Sequence, residues 1–207
     1  EIFLNPRMPP LQQRNRWSKA LLFLLCLAPL GLLLLRAVNM ELGANPVERL
    51  THETGDWALR FLLASLAVTP LRMLTGKAWL LRYRRMLGLF AFFYAVTHFI
   101  IYLWIDQAFL WPEIAADIIK RPYITLGFAA FLILLPLAAT STKGMVRRLG
   151  RRWAILHRSV YAAAFLAVLH FLWLVKADYR EPGIYLAVFI LLMLFRTPVA
   201  RRRFRRA

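Results

Sequence analysis

Three of the four histidines in this chain, His98, His157 and His170, lie inside long apolar runs, and only His52 lies outside one. An ionisable group at membrane depth is costly and by default marks a functional site. The stretch 153–176, WAILHRSVYAAAFLAVLHFLWLVK, carries two of them, His157 and His170, thirteen residues apart. On a helix that separation is about 20 Å, so one imidazole lies toward each face of a bilayer. Such a layout suits two redox centres held in series.

Depth pairs the histidines across helices. The third apolar run enters from the basic stretch ending at Arg85, which places His98 about 18 Å along it, in the far half. The fifth run enters after Arg152, so His157 falls in the near half and His170 in the far half. His98 and His170 therefore share a depth on different helices. Two neutral imidazoles facing each other at one depth are hard to satisfy without a shared ligand, and they fit a bis-histidine haem of the b type. A single membrane histidine has a plainer explanation, an interhelical hydrogen bond. Gly88 and Ala91 on one run, with Ala162, Ala163, Ala164 and Ala167 on the other, leave room for a flat macrocycle or for close helix packing.

His157 has no histidine opposite it. Fourteen residues before His98 stands Arg84, about 40° from it around a helix, whereas Arg85 is about 140° away. Arg84 therefore faces an inner-side haem, pairs with its propionates, or belongs to the basic belt; the three stay open. The thirteen-residue step from His157 to His170 also turns through about 140°, so both serve one path only if the helix is locally distorted. His52, in RLTHETGDW, reads as an exposed loop side chain near a helix cap, or as a contact for a partner or quinone. Tyr94 and Tyr161 lie one turn from His98 and His157 and read as packing or as hydrogen-bond donors.

These residues must be carried by membrane helices. The chain has 207 residues, of which 60% are hydrophobic, gathered into runs of about 20, the length that crosses roughly 30 Å of hydrocarbon. The fold class is all-α: an integral membrane bundle of six transmembrane helices at about 20–38, 56–74, 86–105, 123–140, 153–176 and 184–195. Residues 1–18 form a polar lead, 19–198 the six-helix domain and 199–207 a basic tail. The first run lacks a small-residue cleavage site and reads as a retained helix. Residues 39–55 read as a loop, and FLWPEIAADII, around Pro112, reads as a short amphipathic helix on the membrane surface. No internal repeat stands out.

Charge orients the bundle. The net charge of +18 sorts by loop: basic clusters precede the first run, separate the second from the third and the fourth from the fifth, and end the chain. The other loops hold every acidic residue except Glu1. The positive-inside rule then puts both termini in the cytoplasm and makes nucleic-acid binding an unnecessary explanation for the charge. The lone Cys26 excludes a disulfide framework and a thiol metal site.

Several segments carry a resemblance: GANPVERLTHETG, LRFLLASLAVTPL, RYRRMLGLF with His98 beyond it, KRPYITLG, TSTKGMVRRLGRRWAILHR and HFLWLVK. Together they span roughly residues 43 to 176 and resemble the ferric-reductase-type transmembrane domain of NADPH oxidases and iron reductases. They are most similar to the MsrQ (YedZ) family, haem-binding subunits of the bacterial periplasmic methionine sulfoxide reductase system. The resemblance implies a membrane cytochrome of the inner membrane with haem b, one or two, and an FMN. It implies electrons taken from the quinone pool or a cytosolic flavin reductase and passed to MsrP, a periplasmic molybdopterin enzyme that reduces methionine sulfoxide in oxidised proteins. His98, His157 and His170 match the family's haem-ligand histidines, while Arg84 stands where NADPH oxidases have a fourth. No Gly-rich dinucleotide fingerprint follows a strand, so electrons arrive from another molecule. The competing class is a non-redox transporter or assembly subunit with proton-relay histidines, which would more often show inverted halves and broken spans.

Overall fold

A computed structural model describes residues 10–197, so the basic tail 199–207 and the first nine residues, Arg7 among them, lie outside the described residues. Among the described residues the chain is helical throughout, with no strand. It divides into two compact units, 1–42 and 43–207. The first holds α1 (Pro10–Val38), with Pro29 inside it, which begins within the stretch read as a polar lead.

The second unit begins with α2 (Pro46–Thr75), which starts nearly three turns before the expected span at Asp56. Asn45 caps it, accepting from the Glu48 N–H at 3.3 Å while its own amide donates to the Glu48 carboxylate at 2.9 Å. Pro46 occupies the first turn, where a missing N–H costs nothing. Arg49 pairs with Glu53 one turn on, at 2.7 Å. These ten residues are polar, so hydropathy passes over them although they are well made for a helix start. Thr54 is buried within the helix and bonds back to the Leu50 carbonyl at 2.7 Å. Gly76 ends α2 at φ +68, its N–H on the Arg72 carbonyl, a left-handed cap that a side chain would strain.

After a 3-10 turn, Ala78–Leu80, comes α3 (Leu81–Ile101), which runs on into a π-helical turn, Tyr102–Asp106. The expected amphipathic helix is present as α4 (Trp111–Lys120): Ile114 is buried, while Trp111 and Ile119 are exposed. Then follow α5 (Pro122–Ala139), α6 (Lys143–Leu149), α7 (Arg151–Leu156), α8 (Val160–Leu174) and α9 (Arg180–Leu194). A 3-10 turn at His157–Ser159 joins α7 to α8, at the place where the angular argument required a distortion. Within this unit α2 packs along α3 and α5 along α8, while α3 meets α5 and α2 meets α8. The core is therefore two helical hairpins set side by side.

Among the described residues five helical stretches are long and apolar enough to cross a membrane: 17–38, 46–75, 78–106, 122–139 and 151–174. This is a multi-pass membrane protein. The 15 residues of α9 rise only about 22 Å, short of a full hydrocarbon core. An arginine–tyrosine clasp ties it to α2. Arg60 Nε donates to the Tyr185 hydroxyl at 2.7 Å, its guanidinium lies 3.3 Å from Glu181, and it stacks over Trp57 at 4.9 Å.

Candidate functional site

The imidazoles of His98 on α3 and His170 on α8 face each other with centroids 6.3 Å apart and planes 74° apart. Both are held through Nδ1. His98 Nδ1–H donates to the Thr51 carbonyl at 2.9 Å, and His170 Nδ1–H donates to the Tyr123 carbonyl at 2.6 Å. A carbonyl only accepts, so each Nδ1 carries the proton and each Nε2 keeps its lone pair. This is the arrangement in which a metal-ligating histidine is fixed by a second hydrogen bond.

Two glycines make those contacts reachable. A Cβ on Gly55 would meet His98 Nδ1 at 3.1 Å, and one on Gly127 would meet His170 Nδ1 at 2.8 Å. Each ring thus lies flat on a neighbouring helix, on a glycine one turn beyond the carbonyl it bonds. The two halves repeat the same spacing. Carbonyl, glycine and histidine fall at 51, 55 and 98 in one hairpin and at 123, 127 and 170 in the other, all 72 residues apart.

Between the hairpins lies a cavity of about 290 Å³ onto which both histidines open, near the lower end of ligand-pocket size. Its deep walls are apolar, with Leu62, Ala130, Phe131 and Leu134 among them. Ala167 lines it, whereas Ala163 and Ala164 are buried outside its lining and a Cβ on Gly88 would meet nothing within 4 Å. With metal–nitrogen bonds of about 2 Å and ring nitrogens roughly 1.1 Å from their centroids, two imidazoles on opposite sides of one metal have centroids roughly 6 to 6.5 Å apart. The observed 6.3 Å fits. Among the described residues no group of three or more His, Cys, Asp or Glu is placed to hold a bare ion. Two imidazoles alone suit a metal that brings its remaining ligands with it, as haem iron does.

His157 lies elsewhere. Its Nε2 is 3.0 Å from Thr140 Oγ1, and that hydroxyl spends its own proton on the Pro136 carbonyl at 2.6 Å, so Nε2–H is the donor. The ring stacks on Trp153 at 4.0 Å, and Trp153 Nε1–H donates to the Thr140 carbonyl at 3.0 Å. Arg84, half-buried, is the charged group that His157 feels, while Arg85 is exposed. The structure therefore brings His98 and His170 together and sets His157 with Thr140, Trp153 and Arg84. Tyr94 is fully buried against the Phe61 ring, and Tyr161 lies under the Arg196 guanidinium.

His52 is not on a loop. It sits on α2 and lines the cavity together with His98 and His170. Sequence reasoning also missed Gly55 and Gly127, whose signal was the repeated spacing of glycine and histidine.

Residues 54–168 match the sequence profile described as ferric reductase like transmembrane component, more than half of the chain. The chain belongs to this family. The ferric-reductase-like match takes in His98 and His157 and stops two residues short of His170. Three similar relatives bear the name protein-methionine-sulfoxide reductase heme-binding subunit MsrQ. The one from Rhodospirillum rubrum is 53% identical over 195 residues, covering 93% of this chain and 94% of the relative. That from Xanthomonas campestris pv. campestris is 58% identical over 152 residues, 73% and 70% of the two chains. That from Xanthomonas oryzae pv. oryzae is 52% identical over 182 residues, 85% and 84%. Within the ferric-reductase-like family, the chain is thus a member of the MsrQ group. No solved structure matches it.

Proposed function

We propose that this protein is a membrane b-type cytochrome, the haem-binding electron-transfer subunit of a protein-methionine-sulfoxide reductase system. The observation that carries the reading is the His98–His170 pair, each ring tethered through Nδ1 with centroids 6.3 Å apart. The relatives' printed name, heme-binding subunit, supports it. Haem supplies a one-electron carrier when bound. The chain's own residues would hold the group through the Nε2 atoms of His98 and His170, exclude water with apolar walls and tune the potential through ligation and burial.

In this reading the protein lies in the bacterial inner membrane. Six spans occupy 19–198, α9 supplying the sixth, and the lead 1–18, the tail 199–207 and both termini are cytoplasmic, as the charge distribution supports. The His98–His170 site then lies toward the periplasm, where electrons leave for MsrP, the molybdopterin-containing catalytic subunit. His157, backed by Arg84, belongs to the electron-accepting end, as ligand or neighbour of an inner-side centre. Its Nε2 is taken by Thr140, so Nδ1 is the nitrogen open there. The quinone pool or a cytosolic flavin reductase is the donor, and an FMN belongs to the relay; both follow from the family resemblance. The test is a visible spectrum of the purified protein, air-oxidised and then dithionite-reduced. A Soret band that shifts on reduction is expected. A chain purified from haem-replete cells with no such band would sink the reading.

A further inference from the structure

Apart from His98 and His170, the polar residues lining the cavity come from neighbouring helix ends. His52 and Asp56 come from the start of α2, Tyr102 and Asp106 from the π-helical turn after α3, and Asp117 and Arg121 from the α4–α5 junction. The lining residues further along α2 and α5, Leu59, Leu62, Ala130, Phe131 and Leu134, are apolar. Most of these polar groups already have partners. Arg121 pairs with Asp117 at 3.1 Å and donates to the Tyr123 hydroxyl at 3.4 Å; Asp56 lies 3.6 Å from Arg60, and Asp106 accepts from Gln107 at 3.0 Å. Tyr102 is the one among them with a buried polar atom left over. Its hydroxyl oxygen is buried and has no hydrogen-bond partner.

A buried hydroxyl without a partner is destabilising, and in a native structure it calls for an explanation. Tyr102 lies one turn beyond His98, in a π-helical turn, a local distortion that recurs at functional sites. Its placement follows the pattern of a donor awaiting an acceptor on the bound group. Haem offers one: apart from its metal, its polar atoms are the two propionate carboxylates. A cavity lined by polar groups from these helix ends and by apolar side chains further along the helices admits such a molecule in one sense only, propionates toward Tyr102.

We propose that the Tyr102 hydroxyl, at the polar mouth of the cavity, donates a hydrogen bond to a haem propionate and so fixes the cofactor's orientation. This rests on the bis-histidine reading above and adds a residue to it. Three carboxylates, Asp56, Asp106 and Asp117, share the mouth with Arg121, His52 and the Tyr123 hydroxyl. A propionate placed there is favoured in its charged form by a hydroxyl donor and disfavoured by the neighbouring carboxylates. The Tyr102 bond is therefore expected to lower the pH at which that propionate titrates.

The test uses the full haem-loaded chain and its Tyr102→Phe variant, which keeps the ring and removes only the donor. Midpoint potential is measured against pH, and the propionate bending bands are recorded by resonance Raman. The variant is expected to keep its haem-to-protein ratio, move the inflection of potential against pH upward by roughly one unit, and shift a propionate band. An inflection and propionate bands identical to those of the wild type would overturn the proposal and leave the bis-histidine reading standing. A wild-type chain with no haem band would overturn both. Loss of haem only from Tyr102→Phe, with retention in Tyr102→Ala, would also contradict it, since both lack the donor.

Discussion

Replacing Gly127 by alanine tests how the histidines are held. The new Cβ would sit 2.8 Å from His170 Nδ1, 3.0 Å from Cε1 and 3.1 Å from Cγ, against ordinary contact at 3.4 Å or more. The ring must therefore retreat by about 0.6 Å (3.4 less 2.8), three times the roughly 0.2 Å tolerance of a metal–ligand distance. It cannot retreat freely, because Nδ1–H is bonded to the Tyr123 carbonyl one turn earlier on the same helix. Overpacking of this kind costs about 1–3 kcal/mol, and loss of the hydrogen bond behind a ligating histidine typically costs 10–100-fold in metal affinity. Gly127→Ala should thus weaken haem retention by about 10- to 100-fold. Gly55→Ala, whose Cβ would lie 3.1 Å from His98 Nδ1, needs a shift of only about 0.3 Å (3.4 less 3.1) and should cost several-fold. Gly88→Ala meets nothing within 4 Å and is the control, expected to be neutral. The assay is the rate of haem transfer to excess apomyoglobin, alongside the haem-to-protein ratio. If Gly127→Ala transferred haem at the wild-type rate, the cradle argument would be wrong.

Other predictions follow from the same contacts. His157→Ala should leave the His98–His170 centre and its spectrum intact, because its ring bonds Thr140 and stacks on Trp153 rather than joining that pair; loss of the His98–His170 haem signal would contradict that separation. Thr140→Val removes the acceptor of His157 Nε2–H and should lower the thermal midpoint, by about 1 kcal/mol of stability, without changing haem content. Tyr185→Phe breaks the clasp between α9 and α2 at a site where the Arg60 side chain is 38% exposed. Solvent screening keeps the expected loss to about 1 kcal/mol, read as an earlier melt of the haem absorbance.

Hydropathy and helical arithmetic made much of this molecule legible. Counting residues from Arg85 and Arg152 placed His98 and His170 at one depth, and the structure sets their rings side by side, 6.3 Å apart with planes at 74°. The angular mismatch between His157 and His170 asked for a distortion, and a 3-10 turn stands at His157. The start of α2 was hidden because PVERLTHETG is polar: its helix is secured by a cap, a proline and an ion pair, none of which registers as hydropathy. That error put His52 on a loop when it stands at the cavity mouth. Gly55 and Gly127 were passed over since glycine carries no chemistry of its own, and its role appears only when another helix's ring is laid against it. Thr140, seventeen residues from His157, was beyond reach for a similar reason, as partners between separate helices are set by packing rather than by local pattern.

The most direct test of the account is the haem-to-protein ratio of the purified chain beside His98→Ala and His170→Ala. If the two imidazoles share one iron, each substitution should remove the same centre, and the ratio should fall by the same amount in both. A variant of either residue that kept the full wild-type complement would contradict the pairing on which the account is built.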